Sequence, residues 1–253
     1  MKHFNFKNKA FIPFITAGDP DIETTKELII TMQKAGADLI EIGIPFSDPV
    51  AEGLTIQQST LRALTKGITT DDIFEMLKSI KDKITIPIAL MTYINPIFTY
   101  GTEKFMKHCK EVGVSAVIVP DMPFEEKNEI YDECKAQDIK LISLIAITSK
   151  ERLEKIAKEA EGFLYCVSSL GVTGVRSNLT NDIGQIIKQV KSYSDVPCMI
   201  GFGISTPEQA KQMSEISDGV IVGSAIVKII EKYGINSPKH VEEYIRVMKN
   251  AIQ

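Results

Sequence analysis

Short apolar runs rich in β-branched residues alternate along this chain with longer stretches whose apolar positions recur every three to four residues. The runs are AFIPFIT (10–16), ADLIEIG (37–43), IPIALMTY (86–93), SAVIVP (115–120), KLISLIA (140–146), GFLYCVS (162–168), VPCMIGF (196–202) and DGVIVG (218–223). They are near-continuous rather than strictly alternating, the pattern of strands covered on both faces. The stretches between them read as amphipathic helices. DIETTKELIITMQKAG (21–36) places Leu28, Ile29 and Met32 on one face and ends in Gly36, a C-cap residue. Residues 123–137, 149–162, 181–194 and 206–217 follow the same pattern. The last of these opens Thr-Pro-Glu, an N-cap followed by proline at the first helical position. Residues 55–82 hold two helical pieces split at Gly67, which predicts an extra helix between strands two and three. Eight strands alternating with helices over 253 residues predict an α/β fold, a closed (β/α)8 TIM barrel. A doubly wound open sheet is the alternative, but no G-x-G-x-x-G follows the first strand. No linker-like or low-complexity segment divides the chain, so residues 1–253 are expected to form a single domain.

Composition narrows the partners. A net charge of −4 argues against nucleic acid or an anionic membrane surface. The N-terminal apolar run is short and cut by Pro13, and no segment reaches the ~18 apolar residues of a membrane span. A cytoplasmic location is expected. Cys109, Cys134, Cys166 and Cys198 are scattered with no C-x-x-C pair, which predicts reduced thiols rather than a disulfide framework or a zinc site.

Barrels of this kind carry their chemistry at the C-terminal ends of the strands. Small residues gather at three of those ends: Gly171 and Gly174, Gly201 and Gly203, and Gly223 with Ser224. Backbone N–H groups there can approach an anion closely, and a helix beginning at Ser224 would aim its positive end at the same point. A phosphate site is expected. His3, His108 and His240 all lie away from strand ends, and Lys9, Lys83 and Lys140 precede their strands. Neither a histidine base, a metal nor a Schiff-base lysine is therefore expected at the mouth, and acid–base work falls to carboxylates with help from Tyr93 and Tyr165. Glu41 stands out, because it ends a hydrophobic strand where desolvation would raise its pKa. Asp19 and Asp121 read instead as turn-shaping residues. Residue chemistry thus reaches a phosphorylated small molecule handled by carboxylates, with aldol cleavage, isomerisation and epimerisation all open.

Several blocks go further. PFITAGDP, EIGIPFSDPVAEG, LMTYINPI, VPDMPFEE, SLGVTGVR, GFGIS and GSAIVK, spread in order from residue 13 to 228, resemble the signatures of the tryptophan synthase alpha chain family. The resemblance implies a TIM-barrel lyase that cleaves indole-3-glycerol phosphate to indole and glyceraldehyde 3-phosphate. It also implies a beta-chain partner in an α2β2 complex, with pyridoxal phosphate in that partner and no cofactor in this chain. Carried over by position, Glu41 is the general acid–base and Glu52 the second acid, facing the indole nitrogen. Phe14, Tyr93 and Tyr165 would line the indole pocket. Gly174, Gly203, Gly223 and Ser224 would hold the phosphate, with Phe202 a further substrate contact. GVTGVR would form a mobile lid whose Thr173 meets the acidic loop. The chain departs from the pattern at Glu52, where the family has aspartate, and at Leu54, where it has proline. The alternatives are another phosphate-binding barrel isomerase and a non-catalytic activator of the beta chain.

Overall fold

The computed structural model describes residues 4, 6, 8–146, 151–167, 176–201 and 203–253, with only the backbone of 176–182. Eight parallel strands close into a barrel in chain order. They are β1 (Ala10–Thr16), β2 (Ile40–Gly43), β3 (Ile88–Met91), β4 (Ala116–Ile118), β5 (Lys140–Ala146), β6 (Leu164–Val167), β7 (Cys198–Gly201) and β8 (Gly219–Val222). β8 pairs back onto β1, with Ala10 opposite Gly219. The (β/α)8 barrel expected from the sequence is therefore the fold observed. Several strands are shorter than the apolar runs that announce them. Pro87 and Pro197 precede β3 and β7, and Pro120 follows β4; proline has no N–H to give a ladder. β2 begins at Ile40 because Asp38 serves as a polar anchor, accepting from the Phe11 N–H (2.7 Å) and the Lys249 ammonium (2.7 Å).

Eleven α-helices surround the barrel among the described residues: α1 (Ile22–Ala35), α2 (Leu54–Thr65), α3 (Thr70–Ile80), α4 (Ile94–Tyr100), α5 (Thr102–Val112), α6 (Asn128–Ala136), α7 (Leu153–Glu159), α8 (Arg176–Tyr193), α9 (Pro207–Ile216), α10 (Ser224–Tyr233) and α11 (Ser237–Ala251). Gly36 closes α1 in the left-handed conformation (φ 105°), and Thr206 caps α9 by accepting from the Gln209 N–H. The extra helix is α2, which packs against β1 and α10 rather than in the outer ring position that α3 takes beside α1. The sequence reading names neither α4, α5 nor α11. The last two carry a helical period all the same: Phe105, Met106, Cys109 and Val112 are buried on α5, and Val241, Ile245 and Met248 on α11.

Period-two alternation sorts the strand residues into two cores. Phe11 and Ile15 of β1, with Ile40 and Ile42 of β2, face the helices. Ala10, Ile12 and Phe14, with Leu39, Ala89, Met91, Ile118, Tyr165, Met199 and Ile221, fill the barrel. Phe4 and Phe6 pack on Phe163 just below β6, at ring-centroid distances of 6.1 and 6.5 Å, and so close the N-terminal end. The C-terminal end is left to carry a site.

Candidate active site

Glu41 sits where the alternation of β2 requires an inward side chain, between Phe14 of β1 and Ala89 of β3 in register. It is 1% exposed. Neither carboxyl oxygen has a hydrogen-bond partner among the described residues. Burial, and then the nearby Glu52 charge, push its pKa up from 4.5 to about 8. A carboxyl in this state holds a proton at neutral pH and can give it up, which is what a general acid requires.

Glu52 is held differently. It lies on the loop between β2 and α2, half-buried, and Tyr93 gathers that loop. The Tyr93 hydroxyl accepts from the backbone N–H groups of Val50 (2.9 Å) and Ala51 (2.8 Å) and donates to Glu52 Oε2. Gln57 adds a bond from its amide to the Glu52 carbonyl (2.8 Å). Burial raises the Glu52 pKa, the Tyr93 hydrogen bond works against that rise, and the Asp121 charge adds to it.

A cavity of ≈ 870 Å³ opens above the barrel core, and both glutamates line it. Its inner wall is apolar, with Phe14, Ile56, Met91, Tyr165 and Ile221. The two rings stand against glycines. A Cβ on Gly43 would lie 2.7 Å from Phe14, and one on Gly201 would lie 2.5 Å from Tyr165. Burial and the Glu41 charge push the Tyr165 phenol up, so it stays neutral. The opposite wall is polar, formed by Gly203, Gly223 and Ser224 at the N-terminus of α10. No acid occupies the first turn of α10, whereas α1 and α9 each have one and α3 has two. The positive end of the α10 dipole thus faces the cavity without a carboxylate against it.

The structure brings together Glu41, Glu52, Phe14, Tyr165, Gly203, Gly223 and Ser224 around one cavity. Tyr93, placed by resemblance in the indole pocket, instead lies behind the Glu52 loop with its ring 5.2 Å from Phe46. Thr173, Gly174 and Phe202 lie outside the described residues. Gly201 has a structural reason for being glycine, the Tyr165 ring, apart from any phosphate. Asp19 and Asp121 are structural. Asp19, 1% exposed, accepts two bonds from Arg62 of α2 (2.8 Å each), and Asp121 accepts from the Ile94 N–H at the start of α4 (3.0 Å). α1 is capped by Asp21 rather than Asp19.

The sequence reading places no lysine at the mouth, yet Lys228 and Arg152 line the cavity. Arg152 is paired with Glu125 (2.9 Å); Lys228 has no hydrogen bond or ion pair among the described residues. Its signal was available, since Lys228 follows Ser224 by four residues and so shares its helix face. Among the described residues no group of three His, Cys, Asp or Glu side chains could hold a metal, and no helix is long and apolar enough to cross a membrane.

The chain matches the family model of the tryptophan synthase alpha chain over residues 2–253. The alpha chain of Thermoanaerobacter pseudethanolicus is 47% identical over 96% of this chain and 94% of its own. That of Halalkalibacterium halodurans is 44% identical over 98% and 95%. Among solved structures, the alpha subunit of Legionella pneumophila superposes with a TM-score of 0.87 at 38% identity, over 96% and 92% of the two chains. A chain of the tryptophan synthase α2β2 complex of Pyrococcus furiosus gives 0.89 at 35% identity, over 97% and 100%. With the barrel and these relatives in agreement, the chain belongs to the tryptophan synthase alpha chain family.

Proposed function

We propose that this cavity cleaves indole-3-glycerol phosphate to indole and glyceraldehyde 3-phosphate. The observation that carries the reading is Glu41, a buried carboxyl without a partner among the described residues, whose pKa stands at about 8 beside an apolar wall. Protonated Glu41 delivers its proton to the indole ring carbon that bears the glycerol chain. Positive charge spreads to the ring nitrogen, whose N–H faces the Glu52 carboxylate. The Glu41 carboxylate then takes the proton of the adjacent hydroxyl while the carbon–carbon bond breaks. The bonding electrons return to the ring, an aldehyde forms, and Glu41 ends protonated as it began. Phe14 and Tyr165 supply the apolar faces for the indole. Gly203, Gly223, Ser224 and the α10 N-terminus receive the phosphate, with Lys228 one turn along the helix.

The partner on this reading is a tryptophan synthase beta chain in an α2β2 complex, as in the Pyrococcus furiosus assembly. Four exposed apolar side chains support it: Val50 on the acidic loop, Leu54 and Leu61 seven residues apart on α2, and Phe98 on α4. Pyridoxal phosphate then belongs to the partner, and the chemistry of this chain to its own carboxylates. The family's biosynthetic role supports a cytoplasmic location. The test is indole release from indole-3-glycerol phosphate by the full chain, alone and with the beta chain. Release is expected in both cases and faster with the partner. No indole in either would end the lyase reading and leave the activator alternative.

A further inference from the structure

Tyr93 carries an unusual load for a residue outside the cavity wall. It follows β3 and sits at the N-cap of α4 with extended backbone (φ −82°, ψ 163°), so two regular elements fix its position. The side chain is 3% exposed, with its ring against Phe46. A phenol has one proton to donate and two lone pairs to accept with. All three are used, and all three go to one loop: Val50 and Ala51 donate, and Glu52 accepts. The hydroxyl therefore ties the backbone just before Glu52 and the Glu52 carboxylate to the same oxygen.

We propose that Tyr93 is a positioning residue for Glu52, and that the extra methylene of glutamate over aspartate is the length that lets this carboxylate reach the Tyr93 hydroxyl. The proposal rests on the lyase reading for its kinetic arm only. It also answers the looseness that Glu52 would otherwise bring. A free glutamate has one more torsion than aspartate, and this one is held at its tip by a residue anchored in the barrel. Among the described residues, the charged and titratable groups that act on Glu52 are Glu41 on β2, Asp121 beyond β4 and Tyr93 itself. Of these, Tyr93 donates to the ionised form of Glu52 and favours it, while the carboxylates oppose it.

The test is a double-mutant cycle on the full chain, using Tyr93→Phe, Glu52→Asp and the combination, with indole release as readout. Tyr93→Phe keeps the ring and removes only the oxygen. It is expected to lower kcat about tenfold to a hundredfold, the cost of a misplacement near 1 Å, with KM changed far less. The acid limb of the pH profile should move to higher pH. Glu52→Asp should lower kcat in the parent yet cost little more once Tyr93 is phenylalanine, because both changes cut the same bond. Additive effects, or a Tyr93→Phe variant with the parent's kcat and pH profile, would overturn the proposal. A second readout needs no turnover: carbon-13 NMR titration of the Glu52 carboxyl in parent and Tyr93→Phe chains. An upward move in the variant supports the tie, and coincident curves refute it. Absence of indole release by the parent would fail the lyase reading, and the titration would still decide the role of Tyr93.

Discussion

Two carboxyls lie at neighbouring strand ends, Asp19 after β1 and Glu41 on β2, and each is 1% exposed. Asp19 accepts from Nε and Nη2 of Arg62, whose Nη1 reaches Glu231 of α10 at 2.9 Å. Glu41 has no partner among the described residues. Burial is equal, so burial does not tell a structural acid from a reactive one. What differs is the counter-charge. A buried carboxyl held by an arginine is committed to that pair, and here the pair ties α2, the β1–α1 loop and α10 together. A buried carboxyl without one keeps its proton and is available for transfer.

Glu41→Gln breaks the contrast where it matters most. It preserves shape and removes the transferable proton, so indole release should fall by about a hundredfold to ten-thousandfold, the worth of general acid–base catalysis. Steady-state kinetics check this, and a variant within tenfold of the parent would remove Glu41 from the chemistry. The same pair tests the buried charge through stability. In the folded state Glu41 titrates near pH 8 rather than 4.5, so the folded chain keeps a proton that the unfolded chain releases. Its contribution is fully present below about pH 4.5 and is lost as pH rises to about 8. The loss is a few kcal/mol, about 5 at most. Urea unfolding from pH 5 to 8 should show the parent weakening against Glu41→Gln, and parallel curves would contradict the assignment.

Arg62→Met approaches from the other side by turning Asp19 into a buried acid with no partner. Removing one member of a buried pair costs about 3 kcal/mol or more, and somewhat less here because Arg62 is itself 31% exposed. Denaturation midpoints measure it. Asp19→Asn in the same chain should restore part of the loss, because it removes the acid left without its arginine.

Much of this was legible in the sequence, and the particulars show why. The barrel could be read because parallel strands covered on both faces leave long apolar runs, and eight such runs leave little choice of topology. Glu41 could be read because a charge at the end of such a run has to face the interior or a mouth. The role of Tyr93 could not, because its hydroxyl meets residues more than forty positions earlier, across the mouth. Gly201 was legible as a required glycine but not for its reason, since a clash with Tyr165 and an approach to phosphate leave the same letter. Asp19 was legible as a turn residue but its partner was not, since its arginine comes from an inserted helix on the far side of β2 in sequence.

The smallest expected effect extends the contrast to a cation. Arg152 at the cavity is paired with Glu125, while Lys228 is exposed, has no partner among the described residues and shares a helix face with Ser224. Helical side chains lean toward the N-terminus, so the ammonium leans toward the positive end of α10, where an anion would sit. For the helix alone, a cation there is unfavourable; with a phosphate dianion in place it becomes a counter-charge. Lys228→Gln should raise KM for indole-3-glycerol phosphate roughly fivefold with kcat held, the modest size expected of an exposed and screened pair. Lys228→Arg should restore KM, and rising ionic strength should erase the difference between parent and variant. A KM unchanged at low salt would make Lys228 a solvated helix residue and leave the phosphate to backbone N–H groups and the helix dipole.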